Sequence, residues 1–166
     1  MILRLLAFAM TMACAYGAGG TATGDRMRVL DGIDRLVKAR NESIDALGRV
    51  VRRPLREAGS TDYFEVVASQ FTDDSPYTRI EVRKPRRPPM NRGLIIVDVR
   101  MADCIHGTSV VERYGQVDDL SPPDPRGPAD QPTDYVYHRS WGKLSFGFVD
   151  TPGGQCLSRA VIDWKL

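Results

Sequence analysis

The sequence predicts an α+β domain: an antiparallel sheet with helices on one face. Three observations predict it. Apolar residues Leu30, Ile33, Val37, Ile44, Leu47 and Val51 recur at steps of three, four or seven, the stripe of an amphipathic helix. Six later segments alternate apolar and polar residues or concentrate aromatic and β-branched types, as strands do. The order of these segments is α-βββ-α-βββ, a tandem arrangement with no residue-level repeat beneath it.

The chain opens MILRLLAFAMTMACAYGAGGTATGD. A single positive charge, Arg4, precedes the apolar run Leu5 to Ala13, which has signal-peptide length and falls far short of the ~20 residues of a membrane span. Ala13-Cys14-Ala15 is an A-x-A cleavage site, and Thr11-Met12-Ala13-Cys14 resembles a bacterial lipobox that would lipidate Cys14. Thr11 and Met12 depart from the lipobox pattern. The uncharged stretch AYGAGGTATG after the run suits a flexible tether. The expected organisation is a signal peptide over 1–15, a tether over 16–24 and one α+β domain over 25–166. About 150 residues suffice for one core.

With Cys14 lipidated or cut away, Cys104 and Cys156 remain, and an even pair in an oxidising compartment reads as a disulfide. The alternative is a cytosolic protein with two buried free thiols. Charged residues make up 27% of the chain and the net charge is +2, a balance that indicates no polyanionic partner. Arginines nonetheless cluster over 49–56 and, with Lys84, over 83–92, while aspartates gather over 118–134. Export argues against nucleic acid. Phosphate-bearing lipid headgroups or an acidic protein fit the compartment, and solvated loops account for such clusters without any ligand.

The first helix begins near Asp25, contains the unfavourable Gly32 and ends before Pro54. Strands follow at 63–71, 77–84 and 94–101. Ile80, Val82, Ile95, Val97, Val99 and, later, Leu144, Phe146 and Phe148 form the expected core face. Ser109 and Glu112 make a capping box for a short helix over 109–114 that Gly115 stops. The segment 116–134, with five prolines, is an ordered excursion or a mobile flap. Strands at 135–141, 143–149 and 155–164 complete the chain, the last two joined by the turn TPGG.

Gly107-Thr108-Ser109 leading into VVERYG, then YVYHRSWGKLSFGF, then GGQCLSRAVID resembles the envelope module of BamE (SmpA/OmlA) lipoproteins and β-lactamase-inhibitor proteins. The resemblance covers about 60 residues. The proline-rich insertion and the three strands before the second helix depart from it. It implies an α+β envelope module that works through protein contacts rather than catalysis.

His106 and His138 stand without a metal-ligand or nucleophile motif, so no metal, cofactor or catalytic residue is assigned. Glu65, Glu81 and Asp98 could meet across strands as an acid–base pair, but their alternation is also that of a wet sheet face. Tyr135, Tyr137, Arg139 and Trp141 share one strand face, and core and interface roles both fit them. With Arg79, Arg83, Arg100 and Lys143 they form the expected partner-binding set. The expected function is a non-enzymatic periplasmic binding protein, as an immunity or inhibitor protein against a toxic or lytic enzyme. An envelope-assembly lipoprotein of the BamE type is the alternative, and a small hydrolase is a third class. The expected partner is a protein, either a toxin or enzyme or an envelope component, with lipid entering only as an anchor through Cys14 and with no nucleic acid or small-molecule substrate expected.

Overall fold

The structure, a computed structural model, describes residues 20–72, 74–86, 91–127 and 131–165. The expected signal peptide over 1–15, Cys14 included, and residues 16–19 of the expected tether lie outside the described residues. Two helices, α1 (Gly20–Ala39) and α2 (Ile44–Val51), precede strands β1 (Arg56–Ser60), β2 (Phe64–Gln70), β3 (Tyr77–Pro85) and β4 (Arg92–Val99). A 3-10 turn at Met101–Asp103 leads to α3 (Gly107–Tyr114). Strands β5 (Asp119–Ser121), β6 (Thr133–Arg139), β7 (Gly142–Thr151) and β8 (Gly154–Lys165) follow. The fold is mixed α and β, built on one eight-stranded antiparallel sheet of order β1-β2-β3-β4-β8-β7-β6-β5. Each run of four strands is a meander, and the two meet where β4 pairs with β8.

Register decides which side chains enter the core. Val82 lies opposite Val67 and Ile95, Ile95 opposite Ile162, and Ile162 opposite Leu144. All eight residues expected on the core face are buried. They form one cluster with Val29, Leu30, Ile33, Leu36 and Leu47 of the first two helices and Val110 of α3. At close-packed density, losing a methylene from such a cluster leaves a void its neighbours cannot fill.

Several expectations change. The single first helix is two, because the chain breaks after Ala39 and Ser43 caps α2, its hydroxyl accepting from the Ala46 N–H. The step from Val37 to Ile44 keeps helical phase across the break, so periodicity alone hides it. Residues 20–24, expected in the tether, belong to α1. The capping box is not formed: α3 starts at Gly107 after His106, with no side-chain cap. Gly115 does end α3, at φ 88° with its N–H bonded to the Val111 carbonyl. Each half carries four strands rather than the expected three, β1 and β5 being the additions. Both are fully exposed edge strands without apolar alternation.

Two contacts lock the helices to their neighbours. A Cβ at Gly32 would lie 1.8 Å from the Tyr77 hydroxyl, so α1 gives up propensity there to admit the ring. The hydroxyl donates to the Val29 carbonyl, and burial pushes the phenol up to about 12. From α3, Arg113 donates to Asp31 and Asp34 of α1, and the Tyr114 hydroxyl donates to Asp34 at 2.8 Å. Cys104 and Cys156 form a disulfide with Cα atoms 4.9 Å apart. Cys104 lies beyond β4, after the 3-10 turn, so the bond ties the segment leading into α3 to β8. The Leu157 N–H, bonded to the Ile105 carbonyl at 2.9 Å, reinforces it.

Candidate functional site

The alternate residues of the same strands stay out of the core and form three rows across the other sheet face. The middle row runs Ala68, Glu81, Ile96, Val161, Ser145, Val136. Ile96, Val161 and Val136 are half-buried and do not belong to the core cluster. One flanking row runs Arg83, Leu94, Asp163, Lys143, His138, and the other Gln70, Arg79, Asp98, Arg159, Gly147, Asp134.

Most charges in these rows are paired. Arg79 and Arg83 both donate to Glu81, Arg83 Nε at 2.5 Å. The two side chains arch over the carboxylate and leave Glu81 only 4% exposed. Arg92 grips Asp163 with two donors, and Lys143 Nζ lies 4.0 Å from the same carboxylate. Arg159 Nε donates to Asp98 at 2.8 Å. Asp134 is the exception: burial raises its pKa, and the Arg159 charge opposes the shift.

The expected binding set does not come together. Arg79, Arg83 and Lys143 stand on this face, whereas the aromatic stripe of β6 faces the core, since Tyr137 is opposite Leu144. Tyr137 is 0% exposed, packs on Tyr114 and Phe146, and is a core residue, not a contact residue. Tyr135 stacks on Phe148 with ring centroids 4.6 Å apart. Trp141 packs on the core under the Arg40 guanidinium, 4.7 Å from the ring. Arg139 lies over the Tyr137 ring and donates to the Tyr114 carbonyl, which explains an arginine on a core-side stripe. Arg100 lies past the end of β4, where it donates to the Ser75 and Thr72 carbonyls and pins the β2–β3 turn.

No family model, curated protein or solved structure matches the chain.

The remaining candidates also separate. Asp98 and Glu81 are each held by arginine, and Glu65 lies on the core-side parity opposite Lys84. His106 sits beside the disulfide with Nδ1 3.2 Å from the Gln155 carbonyl oxygen, while His138 is exposed on β6. Among the described residues no group of three His, Cys, Asp or Glu side chains could hold a metal, and no helix is long and apolar enough to cross a membrane.

Two clefts were not foreseen. One, of about 930 Å³, lies between the proline-rich segment and the β7–β8 hairpin, lined by Met101, Pro123, Pro132 and Arg159 among others. It borders the charged face, because a Cβ on Gly147 would lie 3.0 Å from Pro132. The other, of about 550 Å³, lies between α1, the end of α2 and the β2–β3 turn. Its basic lining falls partly within the arginine cluster at 49–56, the only trace of it in the sequence.

Proposed function

We propose that the chain is an exported, non-enzymatic binding protein of the cell envelope, acting as an immunity or inhibitor protein that blocks a toxic or lytic enzyme. The sheet face bearing Ile96 and Val161 is its contact surface. We read all three helices as covering the opposite face, because their buried side chains join a single cluster with the core-side strand residues. The symmetric strand order supports a tandem plan of helix followed by four-stranded meander. The leader and the disulfide support export.

One observation carries this reading: a short apolar stretch, Ile96 beside Val161 with Val136 beyond Ser145, framed by charges that are mostly paired already. An apolar centre with a polar rim is the anatomy of a protein interface. Arginines held in ion pairs lose little further freedom on docking, so the face is organised before a partner arrives. The 930 Å³ cleft at its edge would take a projecting side chain of the partner.

The test places a photo-crosslinking residue at Val161 and, as control, at the exposed loop position Arg126. A protein captured at 161 but not at 126 is then assayed as an enzyme with the purified chain added. Loss of activity at equimolar chain supports the inhibitor reading. A captured envelope component without inhibited activity favours an assembly lipoprotein, and equal capture at both positions removes the face as the contact surface.

A further inference from the structure

The 550 Å³ cleft stands apart from the proposed contact face and has a different chemistry. Arg28 and Arg35 line it from α1, Arg52 and Arg53 from the end of α2, and Phe71 and Tyr77 from the two ends of the β2–β3 turn. Asp74 is the only carboxylate among its described lining residues. The Thr72 hydroxyl engages that carboxylate and lowers its pKa, so Asp74 is ionised at neutral pH. Arg35, Arg52 and Arg53 against one carboxylate leave the cleft positive.

The arginines differ in how they are held. Arg53 donates to the Thr72 hydroxyl and lies over the Phe71 ring, 5.9 Å from its centroid, which fixes its position. Among the described residues neither Arg35 nor Arg52 has a carboxylate partner. Arg52 is also the only described non-glycine residue with positive φ, at 57°, and it occupies the left-handed position that closes α2. Glycine is the ordinary residue there, and an arginine is strained. Strain of this kind persists where a side chain is needed for something besides the fold. Here it keeps an arginine in the lining of the cleft.

We propose that this cleft is a binding site for a phosphate group, supplied by an anionic lipid headgroup or by free phosphate. Guanidinium forks match phosphate oxygens and form charge-assisted hydrogen bonds with them. Donors arriving from two elements suit a tetrahedral anion with acceptors on several sides better than a planar carboxylate. The volume lies within the range of small-ligand clefts.

The test titrates the full chain with inorganic phosphate and pyrophosphate by calorimetry at low salt. In parallel, it measures binding to phosphatidylglycerol and phosphatidylcholine vesicles. A single saturable phosphate site is expected, weakened about tenfold or more in the Arg35→Gln/Arg52→Gly double variant and unchanged in Arg126→Gln. Arg52→Gly alone should hold or raise Tm, since glycine relieves the left-handed strain, and the double variant should unfold at the wild-type Tm or above, so lost binding cannot be blamed on unfolding. Binding to phosphatidylglycerol vesicles that phosphate displaces and the double variant loses assigns the headgroup. Phosphate binding without vesicle binding assigns the free anion. Absence of binding to every probe overturns the proposal, as does binding that the double variant retains.

Discussion

The two faces of the sheet are cut from the same strands and differ only in residue parity, yet they obey different physics. On β4, Ile95 and Val97 are completely buried and belong to one cluster with helix side chains, while Ile96 and Asp98, which alternate with them, do not enter it. On β8, Ile162 and Val161 divide in the same way. The core face is held by close packing, where volume is everything. The other face is held by a lattice of ion pairs around a short apolar row. One face spends its side chains on folding, and the other keeps them available.

Breaking the core face should have the largest effect. Phe146→Ala should cost about 4 kcal/mol, because a buried aromatic leaves both a transfer loss and a cavity. Ile96→Ala, two strands away on the other face, should cost about 1 kcal/mol or less. Urea unfolding of the two variants checks the contrast, and similar losses would mean that both faces are packed.

Removing the disulfide comes next. Cys104 and Cys156 are 52 positions apart, and a loop of that size contributes roughly 4 kcal/mol on the chain-entropy model, with measured disulfides ranging lower. Reduction, or Cys104→Ser with Cys156→Ser, should lower the urea midpoint accordingly. The loss should act on both faces alike, since it arises largely in the unfolded chain.

The arginine-covered glutamate tests the wet face itself. Glu81→Gln leaves Arg79 and Arg83 with one neutral amide oxygen between them and turns an NH2 donor toward the other guanidinium, at a cost of roughly 1–2 kcal/mol, limited by the exposure of both arginines. The smallest effect is expected at Asp134. Its folded pKa is raised, so stability falls as pH climbs from the ordinary carboxylate pKa through the folded value and stays reduced above it. Asp134→Asn should therefore raise Tm slightly at pH 7, and the gain should vanish in acid, where the wild-type side chain is protonated in both states. A gain that persists at low pH would point to packing rather than charge.

Much of the core was legible in the sequence because alternation is a direct record of burial on a strand. Ile80, Val82, Ile95 and Val97 could be assigned from parity alone. Edge strands leave no such record: Arg56–Ser60 and Asp119–Ser121 bury nothing, so their pairing is visible only in three dimensions. The β6 stripe misled for a related reason. Parity shows that Tyr135, Tyr137, Arg139 and Trp141 share a face, but which face is set by the register against Leu144 and Phe146. An arginine lying over a buried tyrosine looks in sequence like an arginine in water. The phosphate cleft was half visible, since Arg52 and Arg53 adjoin in the chain while Arg35 joins them only through the packing of α1 on α2.

The most direct measurement of the central claim replaces one residue on each side of a single strand. Val161→Arg and Ile162→Arg differ by one position and should fail in opposite ways. Binding to the partner captured at position 161 is measured by calorimetry, alongside thermal unfolding of each variant. Val161→Arg should retain its fold and weaken binding by about 2 kcal/mol or more, the scale of an interface hot spot, whereas Ile162→Arg should not fold. Undiminished binding by folded Val161→Arg would contradict the account and return the contact surface to the loops.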